Sequence, residues 1–327
     1  MTPHIAIIGA GMAGLSCAYA LQQLGHNVTV FDKSRGIGGR MSTRRGEGWQ
    51  CDHGAQYFTA KNTDFAAQVQ IWAQAGVVSE WRPHIKVLGE KPRANGVSES
   101  PTRWVGTPTM NAPARWLANR LTVVLGQTIS ALSKTPTGWQ LHSQSAGPLD
   151  REFSHVILAI PAPQAQALLS PLTTSLNDIP AQVAMTGCWS VMLQYADTVI
   201  LPFDAAFINQ GPLSWVARDS HKPARPAQES WLLHGSIAWS EANIEADANS
   251  VIQALSEAFM ALGAPAPQSA QAHRWRYAQG HTASLLLCAW DSHQGIGLCG
   301  DWLHGGRVEG AWLSGLAMAK KLATNLT

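Results

Sequence analysis

The sequence predicts an α/β fold in which a parallel sheet is joined to a second domain built on a mixed sheet. Two observations predict the parallel sheet. Residues 5–8 form an apolar run followed by spaced glycines and a helical pattern, and a second apolar run at residues 28–31 ends in Asp32. A third observation predicts the additional β structure: after residue 120 the sequence changes to short β-like runs separated by Gly and Pro. The length of 327 residues fits one large domain or two joined ones.

The first fifty residues have the pattern of a βαβ unit. Gly9-x-Gly11-x-x-Gly14 lies between the first strand and a helix. In such a motif the first glycine permits a tight turn, the second lets a pyrophosphate approach the backbone, and the third lets helix and strand pack closely. Asp32 would accept hydrogen bonds from the hydroxyls of an adenosine ribose. The sequence therefore predicts a Rossmann-type dinucleotide site, and the alternative is a set of packing glycines with a solvated aspartate.

A basic segment follows this unit. Residues 33–45 carry five Lys or Arg in a chain that has only 23. Arg40, next to Gly39, is the best candidate for a pyrophosphate contact. Arg44 and Arg45 fit a phosphate site or a solvated face equally well.

The remaining elements are predicted from periodicity and turn residues. A helix is expected within residues 61–76 and a polar loop at residues 89–103. Residues 121–160 are expected to form an antiparallel meander that returns to the main sheet. The other expected elements are a helix at 162–169, strands at 188–195 and 231–238, a helix at 249–262, a strand at 295–299 and a helix at 309–322.

Composition excludes several classes of protein. Hydrophobic residues make up 46% of the chain, which excludes disorder, and the net charge of +2 gives no general field for nucleic acid. Charged residues make up 13%, against roughly 25% in an ordinary soluble domain. The 14 Trp outnumber the 7 Phe and the 4 Tyr.

Cysteine and histidine usage bears on location and metals. The five Cys include no Cys-x-x-Cys pair, which favours reduced thiols and a cytoplasmic location. No segment has the roughly 18 apolar residues of a membrane span, so we expect no membrane partner. No Cys/His spacing is typical of a metal site, and we expect none.

A further motif lies near the C-terminus. Gly300-Asp301 ends a predicted strand, and the segment that begins at Gly306 opens the last helix. Helix N-termini stabilise negative charge. If this end faced the N1 and C2 carbonyl edge of an isoalloxazine ring, it would favour the anionic reduced flavin, and Asp301 would bind a ribityl hydroxyl. An ordinary capped helix is the alternative.

Together these motifs resemble the flavin amine oxidase and desaturase superfamily. More closely, the chain resembles the bacterial renalases. The segments that carry this closer resemblance are residues 31–36 (FDKSRG), 54–60 (GAQYFTA), 103–106 (RWVG), 153–157 (FSHVI) and 273–278 (HRWRYA).

The resemblance implies a flavoprotein oxidase with non-covalently bound FAD. Its substrates would be the 1,2- and 1,6-dihydro isomers of NAD(P)H, which pass a hydride to the flavin N5 and leave as NAD(P)+. Oxygen would be reduced to hydrogen peroxide. The implied FAD contacts, beside the glycine motif, are Met12, Phe31, Asp32, Arg40, Ala55, Gln56, Ile129, Asp301 and Val308. The implied substrate pocket consists of Tyr57, Phe58, Thr59, Ala60, Lys61, Trp189 and His304.

The resemblance also implies the architecture of amine oxidases and p-hydroxybenzoate hydroxylase. The FAD-binding domain would comprise residues 1–60, 105–165 and 280–327, and the substrate domain residues 61–104 and 166–279. Hydride transfer needs no general base, and Trp189, His234 and His273 are the candidates for any side-chain role in catalysis. For each histidine the alternative is a structural role.

The alternative function is a flavin amine oxidase that acts on a small amine. Amine oxidases of the superfamily commonly place two aromatic rings as a cage before the flavin and a lysine near its N5. This chain has only four Tyr, and none of its eight Lys lies in an evident central pocket strand. A non-catalytic dinucleotide-binding protein is a third hypothesis. The sequence leaves the oligomeric state open.

Overall fold

The computed structural model describes residues 3–89, 101–281 and 286–326. Most of the polar loop expected at residues 89–103 lies outside these ranges. The helices are α1 (Met12–Gln23), α2 (Thr63–Gln74), α3 (Ala112–Ala118), α4 (Ala162–Leu169), α5 (Asp178–Ala181), α6 (Ile237–Ala242), α7 (Ala248–Met260) and α8 (Val308–Leu326). The strands are β1 (His4–Ile8), β2 (Asn27–Asp32), β3 (Thr43–Arg45), β4 (Gln50–Asp52), β5 (Val78–Trp81), β6 (Ile85–Leu88), β7 (Arg103–Gly106), β8 (Thr122–Leu125), β9 (Ile129–Thr135), β10 (Gly138–Ser143), β11 (Gly147–Phe153), β12 (His155–Leu158), β13 (Ala184–Gln194), β14 (Ala205–Ile208), β15 (Leu213–Arg218), β16 (Ser230–Gly235), β17 (Ser269–His281), β18 (Cys288–Asp291) and β19 (Ile296–Cys299).

A six-stranded sheet forms the first half of the molecule. Its order is β18-β19-β12-β1-β2-β8, and every neighbouring pair is parallel except β18–β19. Ile7 at its centre lies between Ile157 and Val30, and all three are buried because a parallel sheet is covered on both faces. The predicted α/β fold with a parallel sheet is confirmed.

Helices α1 and α8 pack closely against each other beside this sheet. A Cβ added at Gly315 would lie 2.1 Å from the carbonyl oxygen of Ala13 and 2.1 Å from Ser16 Oγ. Ser16 Oγ also donates a hydrogen bond to the carbonyl of Trp312 at 3.0 Å. The last helix therefore supports the helix that follows the glycine motif.

The antiparallel meander is smaller than predicted. It consists of β9, β10 and β11, whereas β8, expected as its first strand, pairs in parallel with β2. β8 is the edge strand of the large sheet, and most of its side chains are exposed. Its short run and exposed edge position give it the pattern of a meander strand.

A second six-stranded sheet has the order β17-β13-β16-β15-β14-β6. Its pairs are antiparallel except β14–β6, so the sheet is mixed, as predicted. Helix α7 buries Val251, Leu255 and Phe259 in the hydrophobic core on one side of it. Asp247 caps this helix by accepting hydrogen bonds from the backbone N–H groups of Asn249 and Ser250.

The segment 61–104, expected in the substrate domain, contributes to both halves. Phe65 and Trp72 of α2 pack in the core cluster of the first sheet, and the Phe65 ring lies 5.4 Å from that of Trp312. β6 instead joins the second sheet. Over the described ranges, no helix combines the length and the apolar character that a membrane crossing requires.

Candidate cofactor and substrate site

A cavity of about 1540 Å³ lies between the two large sheets. One end is lined by the glycine motif and by the ends of β1 and β2, and the other by strands of the second sheet. Residues 54–57 form part of the wall between these ends. The cavity is therefore built from both halves of the chain.

The three motif glycines have different surroundings. A Cβ at Gly9, where φ is +112°, would lie 2.4 Å from the carbonyl oxygen of Ala159, and a Cβ at Gly14 would lie 2.0 Å from that of Gly9. A Cβ at Gly11 would meet nothing within 4 Å. Gly9 and Gly14 are thus required for packing, while Gly11 leaves open space at the N-terminus of α1. This space fits a pyrophosphate, which helix N-termini stabilise.

Asp32 at the end of β2 links the glycine loop to the next turn. Its carboxylate accepts hydrogen bonds from the backbone N–H of Ala10 and from that of Ser34, both at 2.7 Å. Each carboxylate oxygen has a second lone-pair direction, and Asp32 lines the cavity. The residue can therefore hold the loop and also accept from ribose hydroxyls.

Arg40 and Asp301 form a two-point ion pair in the cavity wall. Arg40 Nη1 donates to Asp301 Oδ2 and to the carbonyl of Ala278, each at 3.0 Å, and its Nη2 donates to Asp301 Oδ1. The two residues predicted for the pyrophosphate and the ribityl chain thus contact each other. A guanidinium has five N–H donors, more than these acceptors use, so Arg40 can also bind a phosphate.

Most residues proposed for FAD line this one cavity. They are Gly9, Gly11, Met12, Phe31, Asp32, Arg40, Ala55, Gln56, Ile129, Asp301 and Val308. Gly14 lies beneath the loop, where it packs against Gly9. The open space at Gly11, the carboxylate of Asp32 and the guanidinium of Arg40 fit the phosphate and ribose groups of FAD.

The substrate residues expected from the resemblance are mostly elsewhere. Tyr57 lines the cavity, but Phe58, Thr59, Ala60, Lys61, Trp189 and His304 are absent from its wall. After Tyr57 the chain turns into the core: Phe58 pairs with the backbone of Trp104, and its ring lies 5.9 Å from that of Phe65.

Three more of these residues have structural contacts. The backbone N–H of Lys61 donates to Glu309 Oε1 at 2.7 Å, at the start of α2. Trp189 is buried, and its indole N–H donates to the carbonyl of Asn243 at 2.9 Å. His304 lies in the turn before α8, where its backbone N–H donates to the carbonyl of Asp301.

The end of the cavity formed by the second sheet has an aromatic wall. Trp215 lies between Tyr57 and Phe207, with ring centroids 5.8 Å and 4.6 Å away. All three line the cavity. Phe207 and Trp215 come from β14 and β15 and carry no local motif, which is why the sequence did not indicate them.

The candidate histidines lie around the backbone of His53. The carbonyl of His53 accepts hydrogen bonds from Ser190 Oγ at 2.7 Å and from the indole N–H of Trp275 at 2.8 Å. The rings of His53 and His273 are 4.7 Å apart. His234 lines the cavity, whereas His273 does not.

These histidines are neutral at neutral pH. Burial lowers the pKa of His53 to about 3 and that of His234 to about 4. Burial, together with the positive charge of Arg44, lowers the pKa of His273 to about 4. None of the three can act as an acid near neutral pH.

A buried ionic cluster that the sequence did not indicate supports the cavity wall. Lys222 Nζ donates to Asp219 Oδ1 at 2.7 Å, to Asp52 Oδ2 at 3.1 Å and to Gln56 Oε1 at 3.2 Å. Arg225 Nη2 donates to Asp52 Oδ2 at 2.7 Å. The charged side chains are 0% exposed, and two cations balance two carboxylates.

The cluster contains one lysine close to the cavity, although this lysine does not lie in a central pocket strand. Lys222 is fully buried and bonded to Gln56, which lines the cavity, although it follows a short turn rather than lying in a strand. Burial opposes ionisation of Asp52, but Lys222 and Arg225 hold the pKa of its carboxyl below the usual range. Burial and the Asp52 charge raise the pKa of Asp219.

Comparison with solved structures shows the same fold. A protein of Exiguobacterium sp. 255-15, provisionally named a protoporphyrinogen oxidase, superposes with a TM-score of 0.80 at 11% identity over 99% of both chains. Cyclohexylamine oxidase from Brevibacterium oxydans superposes with a TM-score of 0.75 at 14% identity over 100% of both chains.

Sequence comparison gives higher identity over a short stretch. The L-amino-acid oxidase of Notechis scutatus scutatus is 51% identical over 53 residues, which are 16% of this chain and 10% of that protein. The matched stretch thus spans about a tenth of the length of this relative.

Two family models match the chain. The model of the NAD(P)-binding Rossmann-like domain matches residues 7–72. The model of flavin-containing amine oxidoreductases matches residues 95–323, more than two thirds of the chain. FAD is therefore the cofactor, and the chain is a flavin-dependent oxidoreductase that belongs to the flavin-containing amine oxidoreductase family.

Proposed function

We propose that this enzyme oxidises misreduced nicotinamide dinucleotides, the 1,2- and 1,6-dihydro isomers of NAD(P)H, to NAD(P)+. One dihydro isomer, one proton and one oxygen molecule would give NAD(P)+ and hydrogen peroxide. The resemblance of the sequence motifs to those of bacterial renalases supports this proposal. A cytoplasmic location belongs to it as well, supported by five cysteines that are all free thiols.

The observation that carries the proposal is the set of side chains at the end of the cavity formed by the second sheet, where the substrate would bind. That end has the aromatic wall of Tyr57, Phe207 and Trp215, and among the described residues the only acids in the whole lining are Asp32 and Asp301. Both belong to the half that bears the glycine motif. An aromatic wall suits a nicotinamide ring and, through cation–π contact, also an ammonium group, but a cationic amine would find no carboxylate beside this wall.

The protein would hold the cofactor without a covalent bond. Gly11 and the N-terminus of α1 would receive the pyrophosphate, Asp32 the ribose and Asp301 the ribityl chain. The chemistry that FAD supplies when bound is acceptance of a hydride and transfer of the electrons to oxygen. The segment 54–57 would separate the cofactor from the ionic cluster beneath it.

The side chains around the substrate would provide position rather than proton transfer. A hydride donor of this kind leaves no proton to abstract, because loss of the hydride restores the aromatic pyridinium ring. The neutral His234 in the cavity wall would add no positive charge beside that ring. The role of the protein is then to hold two rings close enough to react.

The proposal is tested by mixing anaerobic, FAD-loaded enzyme with NAD that has been reduced by borohydride to a mixture of isomers. We expect loss of the flavin absorbance band and formation of one NAD+ per flavin. Putrescine and cyclohexylamine serve as comparison substrates, since related structures are named for such amines. Bleaching by an amine without bleaching by the isomers would replace the proposal with the amine oxidase alternative.

A further inference from the structure

Two arginines of β17 converge on one glutamate at the cavity. Arg274 and Arg276 are two residues apart, so their side chains lie on the same face of the strand. Glu245 Oε2 accepts from Arg274 Nη1 and from Arg276 Nη2, both at 2.9 Å, and Glu245 Oε1 accepts from Arg276 Nη1 at 2.5 Å. Both arginines line the cavity, but Glu245 does not.

Arg274 is held in place by more than this glutamate. Its Nη1 also donates to the carbonyl of Ile244 at 2.8 Å, and its guanidinium carbon lies 5.6 Å from the centre of the Trp189 ring. The Glu245 side chain is 68% exposed. Exposed ion pairs contribute little to stability, so an incoming anion can displace the carboxylate at little cost while Arg274 keeps its position.

Geometry and charge favour a phosphate as that anion. The planar fork of arginine binds carboxylate and phosphate oxygens in the same two-point manner, and Glu245 already occupies this position with a carboxylate. The described lining of the cavity carries five cations and two acids, and one of the acids is paired with Arg40. Arg40 and Lys33 lie at the glycine motif, whereas Arg274 and Arg276 lie on the second sheet.

We propose that Arg274 and Arg276 bind the phosphate groups of the substrate dinucleotide, and that Glu245 holds both guanidiniums in position until the phosphate displaces it. This inference rests on the proposed function, because it assigns a site to the phosphates of that substrate. It makes the second sheet responsible for selecting a dinucleotide over a nicotinamide compound without phosphate.

The test compares two substrates that share the reduced nicotinamide riboside and differ in the ADP group, which carries both phosphates. Borohydride-reduced NAD isomers and the corresponding reduced nicotinamide riboside are assayed with wild type, R274M/R276M and the control R82M. Arg82 also pairs with a glutamate, Glu80, but lies outside the cavity lining. We expect the double variant to raise KM for the dinucleotide about tenfold with kcat nearly unchanged.

The riboside and the glutamate variant give the complementary results. KM for the riboside should not change in R274M/R276M, and R82M should leave both substrates unaffected. Glu245→Gln should lower KM for the dinucleotide about threefold, because a neutral amide competes less well for the guanidiniums. An equal rise in KM for both substrates would overturn the inference, as would an unchanged KM for the dinucleotide.

Calorimetric titration of the FAD-loaded enzyme with NAD+ separates this inference from the proposed function. If wild type oxidises neither substrate, the proposed function fails, yet a loss of NAD+ affinity confined to R274M/R276M would still support the phosphate site. If wild type oxidises the isomers and the double variant binds NAD+ as tightly as wild type, the phosphate site alone is wrong.

Discussion

Gly11 and Gly14 belong to one motif but carry different physical constraints. Gly14 has no room for a methyl group, whereas Gly11 has open space and a φ of −80° that any residue adopts. Gly14→Ala should lower the free energy of unfolding by about 1–3 kcal/mol through overpacking. Gly11→Ala should leave it within about 0.5 kcal/mol of wild type while weakening FAD binding about tenfold, because the methyl group occupies the phosphate position.

Chemical denaturation and fluorescence titration with FAD measure these two quantities in each variant. Normal FAD affinity in a stably folded Gly11→Ala variant would show that the pyrophosphate does not approach this glycine.

At the scale of structural elements, the position of the segment 52–57 depends on its contacts with the buried ionic cluster. Replacing Lys222 with Met leaves two buried carboxylates with one cation. Breaking a buried pair in this way typically costs about 3–5 kcal/mol of unfolding free energy. The exposed Arg82–Glu80 pair is the matched control, and Arg82→Met should destabilise the fold far less than Lys222→Met, because exposed ion pairs contribute little to stability. Denaturant unfolding curves of the two variants measure this contrast.

Equal losses of stability in the two variants would mean that the cluster does not stabilise this region. FAD titration of Lys222→Met adds a second readout, since Lys222 holds the cavity-lining Gln56.

The elements predicted correctly are those with strong local patterns. β1, α1 and α8 have continuous apolar runs or helical periodicity, and they are buried in the parallel sheet or against it. β17 was not predicted, because its edge position gives it a polar sequence of 13 residues with Gln, His and Arg. Its pairing with β13 decides its structure.

The same distinction applies to the site. The residues proposed for FAD come from contiguous motifs, and all except Gly14 line the cavity. The aromatic wall joins Tyr57 to Phe207 and Trp215, which lie about 150 residues farther along the chain. Lys222 likewise meets Asp52 only through the packing of the second sheet on β4. Such contacts between distant segments leave no local pattern in the sequence.

Stability of the whole molecule should depend on pH through the buried histidines. His53 and His234 have pKa values of about 3 and about 4 in the fold, against 6.5 for an ordinary histidine. As the pH falls below 6.5, the unfolded chain binds protons that the folded chain does not, so the unfolding free energy decreases down to about pH 4 through His234 and down to about pH 3 through His53. The decrease is at most about 1.4 kcal/mol per pH unit for each histidine.

Denaturant unfolding at several pH values between 7.5 and 4 measures this slope in wild type and in a His53→Gln/His234→Gln variant. The variant should show a shallower decrease in the unfolding free energy. Identical slopes would mean that both histidines become protonated within the fold.

The low charge of the whole chain is distributed unevenly. Five of the 23 Lys and Arg line the cavity, against two of the 21 Asp and Glu. The described wall of the cavity is therefore positive in a nearly neutral protein, a distribution that suits two bound dinucleotides.

The most direct measurement is anaerobic mixing of the FAD-loaded enzyme with separated 2-dihydro and 6-dihydro isomers of NAD, followed through the flavin absorbance band. We predict rapid, stoichiometric bleaching with formation of NAD+, followed by recovery of the band and release of hydrogen peroxide when oxygen is admitted. A band unchanged by either isomer but bleached by an amine would contradict the proposed function.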